Sequence, residues 1–87
     1  DFIGGTVVKT TDGITDAATG VEVELFKEGK LSQSVLSDEY GDFKFDGLDQ
    51  QSGSYTVKCH STEHGNCEIT AELTESIYLG ILTLSDG

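Results

Sequence analysis

The stretch Ser37-Asp38-Glu39-Tyr40-Gly41-Asp42-Phe43-Lys44-Phe45-Asp46-Gly47-Leu48 (SDEYGDFKFDGL) decides the fold of this 87-residue chain. Asp38 to Asp42 puts short acids and a glycine where a tight turn needs a backbone-capping carboxylate and a positive φ. Phe43 and Phe45 then fall on one face of the following segment and Lys44 on the other, which is the period of a strand. Asp46-Gly47 ends that strand, and Leu48 returns to the core.

The same grammar runs outward in both directions. Toward the N-terminus, Val21-Glu22-Val23-Glu24-Leu25 alternates cleanly, Glu28-Gly29-Lys30 reads as a hairpin turn, and Leu31 to Ser37 returns. Ile3, Gly5 and Val7 alternate in a first strand, while Thr10 to Gly20 is polar and turn-rich and reads as a loop. Toward the C-terminus, a turn at Gly53 leads into Tyr55, Val57 and Cys59, in phase. Cys67, Ile69, Ala71 and Leu73 alternate next, and Ile77 to Leu84 closes the chain. Within that last strand the phase slips between Leu79 and Leu82, and Gly80 is the natural site of a bulge. No window carries a helical repeat. The pattern predicts an all-β, antiparallel two-sheet sandwich of about seven strands, with Phe43, Phe45, Leu48, Tyr55, Val57 and Leu82 in one core. Outward Glu22, Glu24, Lys44 and Lys58 are expected to guard its edges.

Composition narrows the function classes. Sixteen acidic residues against five lysines give a formal charge of −11, with no arginine. Such a surface repels phosphate backbones and anionic bilayers, so no nucleic-acid partner and no membrane insertion are expected. No apolar run approaches the roughly 20 residues of a membrane span. Eighty-seven residues fit one thin two-layer core. The chain opens on Asp1-Phe2-Ile3 without an initiator Met, and residues 1–87 are read as a single sandwich module excised from a longer protein. The compartment stays open.

The order of these pieces resembles the carboxypeptidase regulatory-like domain, a relative of the Cna-B and transthyretin-like sandwiches. The resemblance is carried by Gly5-Thr6-Val7, Thr19-Gly20-Val21, Val23-Glu24-Leu25, the Ser37–Leu48 centre, Gly53-Ser54-Tyr55-Thr56-Val57 and Leu82-Thr83-Leu84. It covers nearly the whole chain and implies an Ig-like or prealbumin-like form of the antiparallel sandwich. Missing prolines around the loops, and Glu63-His64-Gly65 in place of the family's Gly-Tyr after the tyrosine strand, are the departures. Asp38 to Leu48 together with Tyr78 to Leu84 is also similar to the sandwich appended to the C-terminus of some iron–sulfur subunits of molybdopterin oxidoreductases, of the transhydroxylase small-subunit type. That resemblance implies a host oxidoreductase but no cluster here, because two cysteines cannot supply four thiolates.

The segment KCHSTEHGNC (Lys58–Cys67) holds both cysteines and both histidines. Strand parity turns Cys59 inward with Val57, and His60 to the opposite side, so four ligands do not converge on one ion; the spacing is not a usual zinc pattern either. Cys59 and Cys67 are in phase on two arms of one hairpin, which leaves a disulfide or two buried thiols open. A ring that short is worth about 2.6 kcal/mol in the loop-entropy account. Asp12 to Asp16 and Asp38 to Asp42 lack the order of a calcium loop and read as turns. Lys9 sits where Cna-B relatives carry an isopeptide lysine, but the only Asn is Asn66, in the loop. No nucleophile elbow is visible, and the histidines share one hairpin. The sequence therefore predicts no catalytic residues, no metal and no cofactor. It predicts a non-catalytic accessory module whose partners are other domains or subunits of its host. An extracellular stalk or adhesion module of a bacterial surface protein is the alternative, with a carbohydrate-binding module behind it.

Overall fold

The computed structural model describes residues 1–85, which form eight strands and no helix. In chain order these are β1 (Ile3–Thr11), β2 (Ile14–Ala17), β3 (Glu22–Lys27), β4 (Lys30–Leu36), β5 (Asp42–Phe45), β6 (Gly53–Ser61), β7 (Gly65–Leu73) and β8 (Ile77–Thr83). One sheet is built on β1: its second half pairs with β2 and its first half with β5, both antiparallel, while β8 runs parallel along its other side. The other sheet has the order β4-β3-β6-β7, antiparallel throughout. The all-β sandwich expected from the alternation is what the chain forms.

Three details depart from the expectation. The eighth strand is β2, in the segment read as a loop. Asp12 and Gly13 both take positive φ, 52° and 80°, which is the two-residue turn that matches the twist of a tight hairpin. All four residues of β2 are exposed, so no apolar alternation marks it. The second departure is the parallel pairing of β1 with β8, which alternation within either strand does not specify. The third concerns the edges. Glu22, Glu24 and Lys58 lie on the central strands β3 and β6, so they solvate an outer face; of the four residues expected to guard edges, only Lys44, on β5, does so.

The core fills the space between the sheets. Phe45, Ile3, Leu25, Leu73, Val7, Val23, Val57 and Cys59 are its largest fully buried side chains, and Phe43, Leu48, Tyr55, Leu82 and Leu84 complete it. The inward phases of β5, β6 and β8 are therefore as the sequence indicates. Phe43 and Phe45 meet at a tilt, with centroids 5.8 Å apart and ring planes 58° to each other. Phe43 lies opposite Gly5, and its ring covers the space a Cβ there would occupy, 2.8 Å from the nearest ring carbon. Tyr55 is buried with its hydroxyl at the rim, 2.9 Å from Ser52 Oγ. The slip in β8 falls at Gly80, φ 84°: Gly4 faces Tyr78 and Thr6 faces Ile81, so β8 carries one extra residue there.

Ser37 is the buried polar residue among these apolar ones. Its Oγ donates to the carbonyl of Ala18 at 2.6 Å and accepts the N–H of Val21 at 2.9 Å. Both ends of the Ala18–Val21 connection are thereby satisfied without water, which holds the link between the sheets. That link forms part of the wall described next.

Candidate functional site

One end of the sandwich is a cleft of about 410 Å³ between the sheets' rims. Its wall from the first sheet is Lys9 of β1 and the Ala17–Gly20 connection; from the second it is Glu22, Leu36 and the β6–β7 hairpin from His60 to His64. Lys9, Glu63 and His64 also line an adjoining depression with Thr10 to Asp12 and Leu84. The three-residue loop Thr62-Glu63-His64 exists because Ser61 and Gly65 pair across it, with Gly65 at φ 94°. Ser61 Oγ accepts the backbone N–H of His64 at 3.2 Å and tightens the turn.

The side chains gathered here are chemically unlike the rest of the surface. His60 Nδ1 is 2.5 Å from Asn66 Oδ1, on the facing strand. An amide oxygen only accepts, so Nδ1 carries the proton and donates it, and in the neutral ring Nε2 is then the nitrogen with the lone pair. His64 is half-buried, its Nε2 3.6 Å from a Glu63 carboxylate oxygen. Lys44 and Lys58 are each engaged by a carboxylate and an aromatic ring, and Lys27 lies over Tyr55. Lys9 has no ion pair among the described residues. In a chain of charge −11, this cleft collects both histidines and one of the five lysines, together with Glu22 and Glu63.

The hairpin parity is as the sequence indicates: Cys59 is buried and His60 exposed. Among the described residues no three His, Cys, Asp or Glu side chains group as metal ligands would. Cys59 and Cys67 face each other directly across the ladder, and both are thiols. Sequence reasoning set the histidines aside as neighbours on one loop and weighed Lys9 only as a crosslinking residue. What it missed is that the far end of β1 meets the β6–β7 turn. The signal is faint: β1 is long enough, at nine residues, to reach past the core to the rim.

No family model matches the sequence, and no curated protein matches it. Among solved structures, the chain is similar to the 5-hydroxyisourate hydrolase of Klebsiella pneumoniae, with a TM-score of 0.76 and 15% identity over 95% of this chain and 90% of that one. This likeness corrects two expectations. The missing nucleophile elbow and the histidines' shared hairpin were taken to mean no enzyme activity and a non-catalytic accessory module, yet another chain of the same architecture, matched at nearly the full length of both, is a hydrolase. Fold is thus no ground for denying catalysis, because activity resides in sites grafted on a scaffold. At this identity the likeness carries the fold, and the chain is a transthyretin-like β-sandwich.

Proposed function

We propose that the Lys9–His60–His64 cleft is a hydrolytic site for a small polar substrate with an electrophilic carbonyl. The observation that carries this is the His60–Asn66 hydrogen bond, which fixes the imidazole as the tautomer whose Nε2 is a base. In this reading His60 Nε2 takes a proton from water as its oxygen attacks the carbonyl, and the Lys9 ammonium stabilises the oxyanion. His60, now protonated, returns the proton to the leaving group. His64, oriented by Glu63, lies on the same wall and binds the substrate's polar edge. The cleft's volume suits a small molecule. The fold's use by a hydrolase in another chain supports the reading.

We also infer that, within the transthyretin-like architecture, the chain is of the carboxypeptidase regulatory-like or Cna-B kind, supported by the Ser37–Leu48 motif. Flanking sequence tests its narrower version: a C-x2-C-x2-C run upstream accompanies the iron–sulfur subunit type, and tandem sandwiches a surface protein. The hydrolytic reading is tested by following 5-hydroxyisourate and p-nitrophenyl acetate spectrophotometrically with the wild type, His60→Gln and Lys9→Met. The expected result is turnover of one substrate above buffer that falls about 100-fold in His60→Gln, with the melting temperature unchanged. Equal rates in wild type and both variants would overturn it.

A further inference from the structure

Cys59 and Cys67 are register partners in the β6–β7 ladder. The kind of pair they form follows from a neighbour. Asn66 gives its N–H to Ser85 O at 3.0 Å and receives the Ser85 N–H on its own carbonyl at 2.9 Å, so its backbone groups point away from β6. Successive residues of a strand point their backbone groups to opposite sides, which turns those of Cys67 toward Cys59. The two cysteines therefore form a hydrogen-bonded pair, with Cα atoms about 5.5 Å apart. That spacing lies inside the range a disulfide spans. The Cβ atoms of such pairs, however, stand near the wide end of about 4.5–5.5 Å, whereas a relaxed disulfide wants about 3.8 Å. A bond here closes only by drawing two ladder-locked strands together, and strained disulfides are the readily reduced ones.

The two sulfurs are unequal. Cys59 is buried, in phase with Val57, whereas Cys67 is half-exposed; both border an open depression with Asn66, Glu68 and Ser85. The hydrogen bond the Cys59 thiol gives to Cys67, and then burial, push Cys59 far up from the ordinary thiol range. The same hydrogen bond draws Cys67 down, against the opposing effect of its partial burial. The half-exposed Cys67 sulfur is thus the one that a dissolved disulfide can reach, and the thiolate is the nucleophile.

We propose that Cys59 and Cys67 are a reversible dithiol–disulfide pair that exchanges with small-molecule disulfides, Cys67 attacking and Cys59 resolving. Cys67 loses its proton to solvent, and its sulfur attacks one sulfur of a disulfide RSSR, forming a Cys67–S–S–R bond and releasing RS⁻. Cys59 then gives up its proton and attacks the Cys67 sulfur, forming the protein disulfide and releasing the second RS⁻. With both protons returned to the leaving thiolates, two protein thiols and RSSR become one protein disulfide and two RSH. The pair is a redox site in its own right, whatever the cleft at the Lys9 end does.

The test is a titration of the folded protein against mixtures of reduced and oxidised glutathione, quenched in acid, alkylated after unfolding and weighed by mass spectrometry. The expected result is an intramolecular disulfide that is half-formed within the working range of the glutathione couple. With Cys59→Ser, a stable mixed disulfide should accumulate on Cys67. With Cys67→Ser, Cys59 should react at least tenfold more slowly than Cys67 does in Cys59→Ser. A disulfide that survives a large excess of reduced glutathione would overturn the proposal, as would no disulfide at any ratio. Equal reactivity of the two single variants, each shown folded by circular dichroism, would overturn the order of attack; the wild-type titration stands even if a variant fails to fold.

Discussion

Gly41 and Gly80 share a backbone conformation, with φ of 79° and 84°, yet only one has room for a methyl group. A Cβ on Gly41 would run into the carbonyl oxygen of Val7, whereas one on Gly80 would meet nothing within 4 Å. Val7 cannot withdraw, because its N–H is bonded to the carbonyl of Gly41 at 2.7 Å and its own carbonyl accepts from Ala18. Gly41→Ala is therefore expected to cost about 3 kcal/mol or more, from the left-handed backbone and the clash together. A urea titration reads it directly, and a loss below about 1 kcal/mol would contradict the close approach. That Gly41 must be glycine is visible in the sequence, from its place in the Asp38–Asp42 turn. That Val7 presses on it is not, because the two are brought together only when β1 lies along β5. Ser37 is similar: a serine at the end of a strand reads as solvent-facing, and only the fold gives it Ala18 and Val21 to bond.

A strand can be read by its own alternation; its partners cannot. Phe43 and Phe45, Val21 to Leu25, and Tyr55 to Cys59 show their inward phase because one face meets the core and the other water. β2 was invisible because both its faces meet water, and its only mark is the Asp12-Gly13 turn before it. The cleft was invisible for the same reason as the β1–β8 pairing, since both join segments remote in sequence. The bulge in β8 was legible, because a phase slip and a glycine coincide. Gly80→Ala should cost about 1–2 kcal/mol, the backbone penalty alone. Its extra hydrogen exchange should be confined to β8 and the adjoining edge of β1. Exchange spreading evenly into β3 and β6 would mean that the bulge is not what sets the register.

Across the molecule, acids outnumber lysines more than three to one, and the sandwich is a slab with Cα extents of 40 × 22 × 17 Å. A body so thin brings like charges on its two faces close enough to repel through and around it. Its melting temperature should rise by several degrees as ionic strength goes from about 0.01 to 0.15 M, as the Debye length falls from about 30 to 8 Å. A flat response would show that the exposed acids are already too dispersed to matter. Phe45→Ala, by contrast, should cost about 3–5 kcal/mol at any salt, a large part of the stability of so small a core. Calorimetry at two salt concentrations separates the two effects.

The placement of β1 has a consequence for the order in which the molecule is made. A ribosome delivers β1 first, yet this strand lies between partners that arrive at three different times: β2 at once, β5 midway and β8 last. The β4-β3-β6-β7 sheet, by contrast, is complete once Leu73 has emerged. Until Ile77 to Thr83 follow, one side of β1 is an open template along Ile3 to Val8, with apolar residues on its inner face. Between the emergence of β7 and that of β8 the nascent sandwich therefore has a finished half and an unsealed one, and a holdase on the ribosome would find its client in that interval.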